Sequence, residues 1–537
     1  MESLKSISSS PPRPSQDNNS LPKYRTTKQL PFELREHCLI YFEEGLYTQA
    51  LNFLIALIIP GNTISRTPAF LPPPQHIALA GTLAVHPTLT TRAKSEDRLE
   101  AANLALRYLR LVLKLVGPVN GNLQDAFLFT GTGTSSRRAT AGRRRTTDEL
   151  HNSNDDEHNI NSDLAGPLAV WSQAEDFWQV VGWAFNCSVR YERRWERWSL
   201  WLEYMIEVLE KDWETRMVEF ETDPNGDSDP RATSMIVQYL SAGESTTGRD
   251  RRILRAIFAD GTVRSIAEFP EIWKNETRER KKASDDRSRQ IAKIDLKEGI
   301  YGDYNVSESS ELDESTPSSP IAPIPPRPEE VPDVAAALGG TQSIALRLHL
   351  LSLLSNVSAM VPETFLPLPA LYNLCYEQIR PLPLPTFFIF MSPASLSHIT
   401  AAAASTLTQY ILRSFIVSAA PLPPTDSIAQ DILERHYLPF AANTQSVADN
   451  ARVSLCVETL LHLLEKYVGL DWSEGLVEAS EKGIEAREQK AKREGKKRSG
   501  SGPIGGDRMW LRASAQRIRF MVDMCKMPRP GIQGSHP

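Results

Sequence analysis

The chain has 537 residues, of which 41% are hydrophobic and 23% charged, with a formal net charge of -6. That length holds roughly three or four domains at ~150 residues each, and the apolar content suffices for a sizeable core. A weakly acidic balance excludes the uniformly basic surface of a dedicated nucleic-acid binder, so any basic function has to be local.

Residues 1–30 are rich in Ser, Pro and Asn and are expected to be disordered. Order begins at Pro31, after which Phe32, Leu34, Cys38, Tyr41 and Phe42 recur at helical spacing. Gly45 breaks that helix, Tyr47 to Ile59 supplies a second, and Pro60-Gly61 ends it, which predicts an antiparallel helical hairpin. Leucines from Leu99 to Leu115, interleaved with Arg and Lys, predict an amphipathic helix stopped by Gly117-Pro118. This first block covers 31–129.

The segment 130–165 turns to Gly, Thr, Ser, Arg, Asn and Asp and reads as a disordered linker. A second block, 166–275, opens on a capping-box pattern at Ser172-Gln173-Ala174-Glu175 and carries seven of the ten tryptophans between Trp171 and Trp213. Trp195, Trp198, Leu202, Met205, Leu209 and Trp213 step by three or four residues along one helix face. The opposite face is expected to hold Arg194, Arg197, Glu203, Glu207 and Glu210.

From 276 to 335 the chain is charged, then acidic and Ser-rich, then Pro-rich, and is expected to be disordered. A third helical block spans 336–480, with helices at Ile344 to Val361, Leu371 to Ile379, Leu407 to Ser418, Ile428 to Tyr437 and Val447 to Val468. Gly469 is placed to cap the last of these. The charged run 481–507 reads as a basic linker, 508–526 as a terminal amphipathic helix and 527–537 as a tail. Period-2 alternation is short and rare, so the fold class is all-α: an irregular helical bundle or solenoid-like helical repeats, interrupted by long loops.

The stretch Tyr41-Phe42-Glu43-Glu44-Gly45-Leu46-Tyr47-Thr48-Gln49-Ala50-Leu51 resembles the middle of a tetratricopeptide repeat, with its tight Gly turn and its small Ala at the helix crossing. The resemblance covers the hairpin 34–60. Cys38 stands where that family has a small residue, and no second copy follows at a period of about 34 residues. It implies helical-repeat architecture, against an ordinary αα-hairpin.

Four further patterns bear on function. Arg190, Arg193, Arg194 and Arg197 interleave with Trp195, Trp198 and Trp201, an arrangement that could stack on single-stranded nucleic acid; the competing reading makes the tryptophans core. Two basic clusters, Arg143-Arg144-Arg145 and Lys496-Lys497-Arg498, suit the acidic groove of a nuclear import receptor. Leu350-Leu351-Ser352-Leu353-Leu354 and Leu460-Leu461-His462-Leu463-Leu464 have the spacing of groove-binding helices but are expected to be core. Five scattered cysteines show no ligand spacing and suit a reduced intracellular chain.

No Walker loop, nucleophile elbow or Cys/His ligand set is recognisable in the sequence. The expectation is therefore a non-catalytic helical scaffold in a nuclear assembly of the chromatin, DNA-maintenance or RNA-processing kind, without cofactor, membrane span or small-molecule substrate. Other proteins would be its partners, and its loops would bind them or accept phosphate. The rivals are a nucleic-acid binder using the Arg/Trp helix 190–213 and a cytoplasmic trafficking adaptor.

Overall fold

The computed structural model describes residues 6–7, 24–59, 68–129, 160–223, 229–241, 246–278, 338–398, 400–424, 428–495 and 504–526. The fold among them is all-α. Pro31 starts α1 (Phe32–Glu43), and Gly45, at a φ of 71° that disfavours any side chain, turns the chain into α2 (Tyr47–Ile58). Cys38, Phe42, Ala50 and Leu54 close the expected hairpin in its interior. α2 and α3 (Pro74–Leu83) both pack on α4 (Glu96–Leu115). Gly117, at φ 82°, ends α4 by donating its N–H to Val112 O, and the short α5 (Leu123–Ala126) completes the block.

The second block begins earlier than its composition suggests, since Ile160 and Leu164 are already buried. After a single turn, α6 (Val170–Gln173), the chain caps α7 (Phe177–Arg190) at Asp176 rather than at Ser172. Asp176 Oδ1 accepts from Gln179 N at 2.7 Å, and Gln179 Oε1 accepts from Glu175 N at 2.7 Å. The predicted box lies one turn too early because Asp-x-x-Gln caps as well as Ser-x-x-Glu. The long α8 (Glu192–Thr222) packs on α7, and α9 (Met235–Ser241), α10 (Thr246–Ile257) and α11 (Val263–Glu268) cover the pair.

The third block joins the same compact unit through α12 (Gly340–Met360), which packs on α7 and α8. By length and composition α12 could cross a membrane, yet two-thirds of its apolar stretch is buried against other helices. It also carries Arg347, fully buried, whose guanidinium donates to the carbonyls of Ile257 and of Ala259 (2.9 Å) and stacks 4.0 Å from the Phe185 ring centroid. These contacts make α12 a core helix. The leucines of both Leu-x-x-Leu-Leu stretches are buried, as expected.

α13 (Leu368–Ile379), α14 (Leu384–Met391) and α15 (Ala401–Phe415) follow. The helix predicted over 428–437 is instead a two-residue strand, a short α16 (Gln430–Ile432) and a wide π-helical turn (Leu433–Tyr437). α17 (Val447–Tyr467) ends at Gly469, with φ 94°, as the sequence predicts. Residues 481–495, read above as linker, are helical: α18 runs unbroken from Glu474 to Gly495. α19 (Ile504–Met524) lies parallel to α17, held by Ser514 to Ser454 (2.9 Å) and by a bidentate Arg517–Glu458 pair (2.6 and 3.0 Å).

Short strands also form, which no period in the sequence predicts. β1 (Ser6–Ile7) pairs antiparallel with β4 (Ile428–Ala429), and β2 (Thr27–Gln29) pairs parallel with β3 (Ala69–Leu71). Pairs this short carry no alternation pattern long enough to detect.

Gly483 tests the reassigned helix. A Cβ there would overlap the carbonyl of Leu438, the same carbonyl that accepts from buried Arg487 at 3.2 Å. Gly483→Ala should therefore destabilise by about 1–3 kcal/mol or more through overpacking. A helix exposed to solvent would respond with the opposite sign, gaining about 1 kcal/mol from the better helix former. The shift of the denaturation midpoint distinguishes the two.

Candidate functional site

The Arg/Trp helix is where the sequence placed its nucleic-acid alternative, and the structure turns its tryptophans inward. Trp198 and Trp201 are fully buried in α8, and Trp195 is buried. Each indole N–H that must be satisfied finds an acceptor: Trp201 Nε1 donates to Gly81 O at 3.1 Å, Trp178 Nε1 to Tyr239 O at 3.0 Å, and Trp273 Nε1 to Leu168 O at 2.9 Å. Trp198 lies against Trp273 in a stacked pair with centroids 5.8 Å apart and meets Trp201 edge-on at 5.6 Å. No ring face of Trp198 is left for a base.

The arginines separate by face. Arg193 is exposed, and Arg197 is half-buried with Nη1 donating to Asn103 Oδ1 at 2.7 Å. Burial pushes the Arg197 pKa down. Arg190 Nε donates to Gly261 O at 2.9 Å. Arg194, expected on the solvated face, is buried instead: Nη1 donates to Thr90 Oγ1 (3.1 Å), and Nη2 to Val85 O (3.0 Å) and Glu276 Oε2 (3.4 Å). The helical pattern missed this because 194 and 198 share a face, and a charge is normally assigned to the surface.

Glu276 completes the cluster, although the sequence put it in a disordered linker. It is buried and accepts from the indoles of Trp183 and, at 3.3 Å, Trp198. Desolvation raises the Glu276 pKa, opposed chiefly by Arg194. A carboxylate that gathers two indoles and a guanidinium is fully committed to protein partners, and the arrangement fastens the 271–278 segment to α7 and α8. His86 stands beside it, edge-on to Trp273 at 4.8 Å and near Arg194. Burial, then Arg194, Arg92 and Arg98, depress its pKa to about 4.

The other chemistry-bearing residues are similarly occupied or lie elsewhere. Burial raises the thiols of Cys38 and Cys375 to about 12 and those of Cys187 and Cys456 as well, so these four behave as apolar core residues. Among the described residues no group of three His, Cys, Asp or Glu side chains is placed to hold a metal ion. A crevice of about 340 Å³ beside α11 is lined by Arg255, Arg264, Asp260, Glu268 and Glu377, with Arg255 paired to Glu268 at 2.7 and 2.9 Å. The import candidates Arg143, Arg144, Arg145, Lys496, Lys497 and Arg498 lie outside the described residues. Lys492 and Arg493, adjoining the second cluster, lie in the last turn of α18.

No protein-family model matches the chain, and no curated protein matches it.

Two outcomes follow from this geometry. Trp198→Ala should cost ~3–5 kcal/mol, whereas Arg193→Glu should change stability by only about 0.5 kcal/mol; thermal melts of the two variants provide the comparison. His86 is held neutral, so its contribution is intact above pH ~6.5 and is lost as pH falls toward 4. The loss should amount to about 2 kcal/mol at pH 5. Urea unfolding at pH 7 and pH 5 should show that drop, and His86→Asn should reduce it.

Proposed function

We propose that the chain is a non-catalytic α-helical interaction subunit of a nuclear multiprotein assembly of the chromatin, DNA-maintenance or RNA-processing kind. The observation that supports it best is the outer face of α19. This helix packs Leu511, Ala515, Ile518 and Val522 against α17 and α18. On its other side Met509, Phe520 and Met524 stand 63%, 65% and 46% exposed. Spacings of eleven and four residues align these three on one face of a helix. Large flexible and aromatic side chains held outward on a packed helix are what a partner's groove takes up, and methionines adapt to such surfaces. Trp472 and Tyr467, both about half exposed, add apolar area at the turn between α17 and α18.

The nuclear part of the reading rests on the two basic clusters of the sequence. The nucleic-acid alternative loses its principal support, because the tryptophans it needs are enclosed.

Affinity purification with quantitative mass spectrometry tests the interaction. Stoichiometric partners should be retained by the unaltered chain and lost with Met509→Ala, Phe520→Ala and Met524→Ala combined, at unchanged melting temperature. A chain that purifies without stoichiometric partners, or keeps them all in the triple variant, would refute the reading. Replacing Arg143, Arg144, Arg145, Lys496, Lys497 and Arg498 by alanine should lower nuclear accumulation of the fluorescent fusion; an unchanged distribution removes the nuclear assignment.

A further inference from the structure

In the parallel pair β2/β3 the outer edge of β2 is left unpaired by the described residues at Thr27 and Gln29, and a cavity lies along it. Backbone N–H and C=O groups of successive strand residues point alternately to opposite sides. Thr26 O accepts from Ala69 N at 2.8 Å and Leu30 N donates to Leu71 O at 3.1 Å, so the even residues face β3. The odd residues face the other way. At Arg25 that outer edge is occupied by the end of α4 and the loop after it: Arg25 N donates to Leu115 O at 3.0 Å, and Arg25 O accepts from Asn120 Nδ2 at 3.4 Å. At Thr27 and Gln29 the occupation stops, and their outward backbone groups make no hydrogen bond to a described residue.

A cavity of about 240 Å³ begins where the loop leaves off. It is walled by β2, by Asn120 to Asn122 on the loop, and by Leu71 with Pro72 to Pro74 at the end of β3. Lys28 and Arg35 supply its charge, and among the described residues no carboxylate lines it. Arg35 Nε is buried without a hydrogen-bond partner, with Glu36 Oε1 at 3.9 Å. Leu30, Leu71 and the prolines give an apolar wall.

We infer that this edge binds an extended acidic peptide segment of a partner protein, which adds as a strand against Thr27 and Gln29 and places a carboxylate toward Lys28 and Arg35. Unsatisfied strand groups supply affinity without regard to sequence, and alternate side-chain pockets supply selectivity. The two cations choose acidic over basic segments. The site deepens the interaction reading without using α19, so either can fail alone.

The probe is a fluorescein-labelled, end-blocked octapeptide alternating valine and glutamate, compared with its valine/lysine counterpart by anisotropy on the full chain at low salt. The acidic peptide should bind at least tenfold more tightly. Lys28→Glu should reverse that order, and Gln29→Pro, which removes one outward donor and leaves the bonds to β3 in place, should weaken acidic-peptide binding at least tenfold with an unchanged melt. Equal binding of the two peptides, no binding of either at millimolar concentration, or variants that bind like the unaltered chain would overturn the inference. So would concentration-dependent dimerisation abolished by Gln29→Pro, which would assign the edge to a second copy. If the peptide fails while partner capture through α19 persists, only the edge site falls.

Discussion

A guanidinium buried in a helical protein has to find oxygen, and in this chain that requirement ties sequence-distant blocks together. Arg194, in the middle of the second block, reaches Val85 O and Thr90 Oγ1 of the first and Glu276 at the end of its own. Arg347, in the third, reaches the carbonyls of Ile257 and Ala259 in the second. Arg487 does the same within the third block, donating to Leu438 O and, at 3.0 Å, to Phe440 O. Each stands on a helix and is bonded at a place where a neighbouring helix has ended and its carbonyls are unsatisfied. Both side chains are fully buried, and desolvation lowers the pKa of Arg347 to about 9 and of Arg487 to about 10, yet both remain cationic at neutral pH.

Such contacts add less stability than their number suggests, because removing each charge from water offsets most of what its hydrogen bonds return. Their consequence is positional. A leucine at 194 could tolerate α3, α8 and the 271–278 segment sliding past one another, whereas the Glu276 carboxylate, with indoles from α7 and α8 and a guanidinium from α8, is satisfied in one arrangement only. The tryptophans follow the same logic. Each is large enough to span two layers, and the N–H groups of six of them end on one specific oxygen, a backbone carbonyl for Trp171, Trp178, Trp201 and Trp273 and the Glu276 carboxylate for Trp183 and Trp198, so a Trp-rich core is a strongly registered one.

The sequence conveys the helices well wherever a 3.6-residue apolar period is joined to a stop residue: Gly45, Gly117 and Gly469 all take the left-handed conformation that ends or turns a helix. It fails where the burial pattern and residue type disagree. Charge assigns Arg194 to the wet face and Glu276 to a linker, and it makes 481–495 read as linker too, because a run of Glu and Lys describes a solvated loop as well as a helix with one wet face. Ala479, Ile484 and Ala491 mark the dry face of α18, but alanine is too weak a hydrophobic signal to outweigh the charge around it. The β2/β3 pair could not be read at all, since three residues carry no period and its partner strand lies some forty residues away.

That last failure bears on where function resides in this chain. The helical blocks are legible because their side chains serve packing, and packing imposes a pattern; Thr27, Lys28 and Gln29 are exposed and serve none. Their presence as a strand is fixed from outside, by Leu30 and Leu71 inserted into the core and by the Arg25 guanidinium, whose Nη1 donates to the C-terminal carbonyl of α2 at Ile58 (2.8 Å) and Nη2 to Pro68 O (3.2 Å). An ordered backbone edge anchored at one end by a buried arginine and, among the described residues, left unpaired beside a cationic cavity is a costly arrangement for a helical protein to maintain, since loops of the same length could close the same gap with their polar groups in water. The same economy applies to α19, whose inner face alone would suffice to cap the third block, yet whose outer face displays a phenylalanine and two methionines. In both places the anchoring residues account for the fold, and the groups they hold outward are not used in packing or pairing by any described residue.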